Sequence, residues 1–234
     1  MKKRLPLRTL ITLIIVVVLV PLTVWAGLQF GQKSYYVTSV LIILYTMIPF
    51  FIAFEKRRPD AKELVMIAVL SAIAVASRAI FIALPQVKPM TAVIMIAGAA
   101  LGAEAGFLTG AVTAFASNFI FGQGPWTPWQ MFAFGMAGFL TGLIFRKWDL
   151  GKKRIAFAVY GVLMVMLVIG PLLDTSSLFM FASSLSWGAV GAVYIGGLAM
   201  NAIHAAATGV TLFLAAKPMI ERIERVRLKY GMVK

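Results

Sequence analysis

Met90-Thr-Ala-Val-Ile-Met-Ile-Ala-Gly-Ala-Ala-Leu-Gly-Ala-Glu-Ala-Gly-Phe-Leu-Thr-Gly-Ala-Val-Thr-Ala-Phe-Ala-Ser-Asn-Phe-Ile-Phe121 is an apolar run of 32 residues, and how it divides decides the fold. As one helix it would be ~48 Å long, against a bilayer hydrocarbon core of ~30 Å. The other division is a reversal at Gly102-Ala103-Glu104, giving two short helices. Six further apolar segments lie at residues 9–30, 35–54, 64–84, 129–145, 155–173 and 188–216, bounded by charge, Pro or Gly. The reversal raises the expected crossings from seven to eight.

Charge decides between them. With eight crossings one membrane face receives Lys2, Lys3, Arg4 and Arg8, then Lys56, Arg57, Arg58 and Lys62. The same face takes Arg146, Lys147, Lys152, Lys153 and Arg154, and the tail with Lys217, Arg222, Arg225, Arg227, Lys229 and Lys234. Of the 22 basic residues only Lys33 and Lys88 fall on the opposite side, with Arg78 inside a span. Seven crossings would expose Arg146 to Arg154 outward, against the bias of basic loops toward the cytoplasm. The expected fold is therefore an all-α, polytopic membrane bundle with both termini cytoplasmic. Trp25, Trp126, Trp129, Trp148 and Trp187 fall near predicted span ends, where an amphipathic indole is favoured.

Composition agrees: 61% of the 234 residues are hydrophobic and 13% charged. The net charge of +14 is explained by the membrane-facing asymmetry, without nucleic acid. The chain has no cysteine and one histidine, His204, so thiolate and multi-histidine metal centres are excluded. The basic N-terminus followed by an apolar run imitates a signal peptide, but residues 9–30 are long enough to span and are read as a retained first helix.

Residues 1–54 form a Val/Ile/Leu-rich transmembrane hairpin and 55–63 a basic cytoplasmic linker. Residues 64–216 form a six-helix bundle richer in the small residues that let helices pack in lipid. Residues 217–234 are a basic tail, in which Met219, Ile223, Val226 and Tyr230 form one stripe, predicting a short surface helix.

Ala68, Ala72 and Ala76 recur at every fourth residue, a smooth stripe suited to packing within the bundle or to docking a partner subunit. Gly98, Gly106, Gly110 and Ala114 predict tight packing of the short helix pair. Arg78, about six residues from the outer end of its predicted span, either snorkels outward or lines a polar cavity. His204, one turn from Asn201, reads as a hydrogen-bonded core histidine.

Three outward segments carry the ligand-like chemistry: Pro85-Gln-Val-Lys-Pro89, then Asn118 to Gln130, then Asp174 to Trp187. They combine rigid Pro and Gly turns with amides, a cation and large aromatics, the makings of a concave site that stacks a flat ligand. Interfacial anchoring explains Trp126 and Trp129 equally well, but explains Gln86, Asn118, Gln123 and Gln130 less well. The candidate binding residues are Arg78, Gln86, Lys88, Asn118, Gln123, Trp126, Trp129, Gln130, Tyr194 and Asn201.

Enzyme chemistry is thin. Gly27 to Ser34 imitates a phosphate loop but lacks glycine at position 32 and faces outward. Glu104, Asp149 and Asp174 are isolated, so paired-carboxylate and metal-assisted mechanisms lack their groups.

Residues 64–216 resemble the substrate-binding S component of energy-coupling factor (ECF) vitamin transporters. The resemblance rests on the Ala68-xxx-Ala72-xxx-Ala76 helix, the loop Pro85-Gln-Val-Lys-Pro-Met-Thr-Ala92, and the reversal Ala99-Ala-Leu-Gly-Ala-Glu-Ala-Gly106. Within that family Phe121-Gly-Gln-Gly-Pro-Trp-Thr-Pro-Trp-Gln-Met131 is similar to the cobalamin-specific group. The resemblance implies a six-helix core, from which the N-terminal hairpin departs. It further implies docking of the alanine stripe on a membrane-embedded coupling (T) subunit and energy from two separate ATPases. Outer loops would capture the vitamin, with no catalytic activity, cofactor or metal of the chain's own. A corrin ring would meet the loop aromatics and amides, with no protein axial ligand to cobalt. The alternatives are another vitamin or a deazapurine-type queuosine precursor in the same family, a membrane enzyme acting on lipid phosphates, or an accessory subunit without ligand.

Overall fold

The computed structural model describes residues 14–29, 34–56, 59–148, 153–182 and 185–232, and it is all-helical. Helix α1 is Val20–Gln29, preceded by a π turn Ile15–Leu19; α2 is Ser34–Lys56 and α3 Ala61–Ile80. The deciding run divides as charge required: α4 is Met90–Leu101 and α5 Ala103–Phe121. Helix α6 is Trp126–Trp148, α7 is Arg154–Phe181 with a π turn at Val165–Ile169, and α8 is Trp187–Lys229. Among the described residues five helical spans are long and apolar enough to cross a membrane: Val37–Lys56, Ala61–Ile80, Trp126–Phe145, Arg154–Phe181 and Trp187–Lys229. Met90–Leu101 is apolar but shorter. The protein is therefore a polytopic membrane bundle.

Gly102 makes the reversal possible. Its φ of 107° and ψ of 176° belong to a region that essentially only glycine occupies. Its N–H closes α4 onto the Gly98 carbonyl at 2.9 Å, while its own carbonyl accepts from Gly106 at 2.8 Å to open α5. One residue thus caps two helices. We call this end of the bundle the turn end, and the end carrying residues 81–89, 122–125 and 182–186 the loop end.

The centre of the bundle is a backbone crossing. A methyl group at Gly98 or Gly106 would collide with the Gly138 carbonyl, one at Gly110 with the Phe134 carbonyl, and one at Gly142 with the backbone of Ala103. Helices α4, α5 and α6 therefore touch backbone to backbone, the arrangement small residues permit in lipid. Around it Met90, Ile94, Met95, Ile96 and Ala105 are fully buried. The glycine series predicted from sequence does its packing against α6 as well as within the pair, and α5, at 19 residues, is longer than expected.

The N-terminal pair is seated on this bundle. Phe50 of α2 stacks on Phe107 of α5 at 4.2 Å and meets Phe139 of α6 edge-on at 5.0 Å. Ile43 and Met47 join Phe107, Ala111 and Trp129 in one buried cluster.

Two expected boundaries are corrected. Helix α7 continues through Gly170 and Pro171 to Phe181 instead of stopping at residue 173, so Asp174 is helical, and α8 begins at Trp187. The predicted separate tail helix is the continuation of α8, which runs 43 residues through Pro218. At the turn end this extension is pinned by Arg227, which donates to the Ala100 carbonyl at 2.7 Å, and by Lys62, which donates to the Tyr230 carbonyl at 2.9 Å. A guanidinium on the last carbonyls of α4 complements its dipole. Lys2, Lys3, Arg4, Arg8, Lys33, Arg57, Arg58, Asp149, Lys152 and Lys234 lie outside the described residues, as do the side chains of Gly27 to Ser34, Arg146, Lys147 and Trp148.

Candidate functional site

Polar side chains gather at the loop end in three connected groups. The first ties α3 to α5 and α6. Arg78 lies two residues from the C-terminus of α3, nearer the helix end than the sequence suggested, because the chain leaves the helix at Ile80. Its Nη1 donates to Ser117 Oγ at 2.5 Å and to Asn118 Oδ1 at 3.1 Å, and the guanidinium lies 4.0 Å from the centre of the Phe121 ring. Asn118, fully buried, donates from Nδ2 to Thr127 Oγ1 at 3.0 Å and to Gln130 Oε1 at 2.8 Å. Thr127 donates in turn to Gln123 Oε1 at 2.9 Å, and Gln123 Nε2 donates to the Phe115 carbonyl at 3.0 Å. Both polar side-chain atoms of Asn118 are thereby used, and the turn between α5 and α6 is fixed by these amides together with the backbone bond from Thr127 N–H to the Gly124 carbonyl at 2.9 Å. Trp126 closes it by lying over Gly124.

The second group is the loop between α3 and α4. Lys88 Nζ donates to Gln86 Oε1 at 2.6 Å, and Gln86 sits at φ 61°, the left-handed region that non-glycine residues seldom occupy. Burial lowers the Lys88 ammonium to about 8, and the like charge of Arg78 adds to the effect. Just beyond it, Thr91 Oγ1 and His204 Nε2 are 2.7 Å apart, joining the first turn of α4 to α8, both side chains buried. The histidine is thus the hydrogen-bonded core residue that its sequence context indicated.

The third group lies between α7 and α8. Asn201 Nδ2 donates to Asp174 Oδ2 at 2.8 Å, with Gly197 leaving room for the carboxylate, and the hydroxyls of Thr175 and Tyr194 are 2.6 Å apart. Tyr194, Gly197, Asn201, His204 and Thr208 share one face of α8, since their spacings follow the helical repeat. On the neighbouring α6, Trp129 is buried and packs 6.1 Å from Phe179 of α7. Among the described residues its indole N–H has no protein partner, nor have the buried hydroxyls of Ser176 on α7 and Thr208 on α8, nor those of Thr113 on α5 and Tyr160 on α7. Buried polar groups left unpaired in a protein of this kind are the exception, and each calls for a partner.

The predicted candidates thus fall into these groups as follows. Arg78, Asn118, Gln123, Gln130 and Trp126 build the first, Gln86 and Lys88 the second, and Tyr194 and Asn201 the third, with Trp129 beside it. Sequence reasoning missed Ser117, Thr127, Thr91, Thr175 and Ser176, single hydroxyls with no pattern to mark them, and placed Asp174 in a loop. Among the described residues no cluster of three or more His, Asp or Glu side chains offers a metal site.

Ala68, Ala72 and Ala76 all lie on the exposed face of α3, flanked by exposed Val65, Val69 and Ile73.

A family model described as ECF-type riboflavin transporter, S component, matches residues 59–218. No curated protein and no solved structure matches the chain.

Proposed function

The chain belongs to the ECF-type riboflavin transporter S-component family, and from that premise we propose that it captures a water-soluble vitamin at the loop end and delivers it inward with partner subunits. The observation that carries the reading is the buried, unpaired Trp129 indole N–H and Ser176 hydroxyl at the loop end, beside the Asp174–Asn201 pair. These are groups fixed by rigid helices with hydrogen-bonding capacity unspent, as a ligand site requires.

The loop end faces outward in this account. Lys56, Lys62, Lys153, Arg154, Lys217, Arg222, Arg225, Arg227 and Lys229 all lie toward the turn end, which is therefore cytoplasmic, along with both termini, in a prokaryotic plasma membrane. Exposed Ala68, Ala72 and Ala76 form the docking stripe for a membrane-embedded T subunit. Two ATPases on that subunit supply the energy, and this chain contributes no catalysis.

The preferred ligand is a flavin. A planar fused ring suits the aromatic surfaces of Trp129 and Phe179, and its ring nitrogens and carbonyls match a few fixed donors and acceptors. Cobalamin is the second reading, favoured by the similarity of residues 121–131 to the cobalamin-specific group. Against it, Asn118 and Gln123 are engaged with neighbouring protein groups and have little left to offer the corrin's peripheral amides.

Substitution of Ala72 by tryptophan tests the assignment of roles. The variant is expected to bind vitamin with unchanged affinity and to lose uptake in cells carrying the partner subunits. Loss of binding with uptake in proportion would overturn the docking role.

A further inference from the structure

Arg78 and Lys88, cations of the loop end, have no carboxylate partner among the described residues. The chain holds eight acidic residues. Among the described residues, Glu55, Asp60, Glu63, Glu104, Glu221 and Glu224 fall at the turn end by their positions on or beside the helices, and only Asp174 lies toward the loop end, where it accepts from Asn201. Arg78 and Lys88 are close enough for their charges to act on one another, yet each is bonded only to neutral oxygens: Ser117 and Asn118 for Arg78, Gln86 for Lys88.

Both cations also have donors to spare. Only Nη1 of Arg78 is engaged, leaving Nε and Nη2 without a protein partner, and Lys88 uses one of three ammonium hydrogens. Their placement is held at a cost. Gln86 adopts a left-handed backbone as it presents its amide to Lys88, a conformation that persists where surrounding structure requires it. The Lys88 side chain is then partly withdrawn from water next to a like charge, and its ammonium is brought to about 8. The N-terminus of the 12-residue α4 begins two residues later, adding its own positive end. Lysine and arginine that merely seek lipid headgroups extend toward water. These two turn inward instead, onto α5 and onto the loop's own amide.

We propose that Lys88 and Arg78 form an anion subsite at the edge of the vitamin site, and that the ligand is bound through a phosphate ester as well as through its ring. The proposal rests on the reading of the loop end as the capture site and narrows it to phosphorylated forms of the vitamin. A phosphate supplies acceptors for the spare donors of both side chains, and its charge relieves their mutual repulsion.

The test uses the full chain in nanodiscs of zwitterionic lipid, titrated with riboflavin and with flavin mononucleotide by quenching of flavin fluorescence. The mononucleotide is expected to bind at least tenfold more tightly. Lys88→Gln and Arg78→Gln should each weaken mononucleotide binding at least threefold more than riboflavin binding, erasing most of that advantage. Equal or weaker binding of the mononucleotide, or an equal loss for both flavins in Lys88→Gln, overturns the subsite. A second arm needs no vitamin: inorganic phosphate should raise the thermal midpoint of the parent chain and not of Lys88→Gln. If neither flavin binds, the capture reading fails, and the phosphate arm still decides the subsite. Stabilisation by anionic lipid in the nanodisc but not by phosphate assigns the cations to headgroups and overturns the proposal.

Discussion

Replacing Gly138 by alanine adds one methyl group at the crossing of α5 and α6. The added carbon would stand 2.5 Å from the Gly106 carbonyl carbon and 3.0 Å from its Cα, with the Gly106 carbonyl oxygen closer still. Carbon atoms pack at about 3.5–4.0 Å, so the two helices must part by about 1 Å. All the atoms in contact are backbone, so no side chain can rotate away. A gap of that size forfeits a quarter to a half of the dispersion energy along the crossing, and overpacking of this kind costs about 1–3 kcal/mol. At about 2 kcal/mol the folding equilibrium shifts by roughly thirtyfold. Gly191→Ala is the control, because a methyl there meets nothing within 4 Å and a helical glycine gains up to ~1 kcal/mol on becoming alanine. The assay is the midpoint of unfolding in detergent micelles, followed by tryptophan fluorescence. If Gly138→Ala is no less stable than Gly191→Ala, the backbone crossing does not hold the bundle together and the reasoning fails.

Asn118→Ala removes the hub that joins Arg78, Thr127 and Gln130, and should lower stability by about 1–3 kcal/mol in the same unfolding assay, with the loss largely absent in a background already carrying Arg78→Ala and Gln130→Ala. His204→Ala leaves Thr91 unpaired in the core and is expected to cost roughly 1–3 kcal/mol, while vitamin affinity falls less than tenfold. A near-total loss of binding with the fold intact would make the histidine a ligand contact instead. The affinity for flavin mononucleotide should be nearly constant between about pH 7, where its phosphate monoester with a pKa of about 6 is largely dianionic, and pH 8, and decline above it. Lys88 is charged below its lowered value of about 8, so its attraction for a phosphate is present there and is lost as pH rises through that value. Arg78 stays charged throughout this range. A flat profile to pH 9.5 would remove Lys88 from the site.

The reversal at Gly102 was legible because two independent signals met there: a run too long for one crossing, and a charge asymmetry that only an even number of crossings satisfies. What eluded the sequence was continuity. Gly170-Pro171 looks like the end of a span, since proline lacks an N–H and its ring presses on the preceding turn. The π turn at Val165–Ile169 immediately before it loosens that turn and lets α7 continue to Phe181. Asp174 consequently sits in a helix, where Asn201 satisfies it, a partner 27 residues away that no local pattern reveals. Pro218 misled in the same way, because α8 passes through it and the extension is held by Arg227 on α4. The site was legible as residue types and not as pairings. Amides at 118, 123 and 130 read as a ligand surface, and Asn118 proved to be the hub between Arg78, Thr127 and Gln130. Buried groups left unpaired, Trp129 and Ser176 among them, are identifiable only once their neighbours are known.

The central claim is that this chain, without its partners, binds a vitamin at the loop end. The most direct measurement is equilibrium titration of the purified chain with riboflavin and with cobalamin, each at a fixed salt concentration, in parallel with Trp129→Phe. Saturable one-to-one binding of a flavin, weakened about tenfold when the indole N–H is removed, is the predicted result. Saturable binding of cobalamin alone would replace the flavin and keep the capture role. Absence of saturable binding by either vitamin to a folded chain would contradict the account.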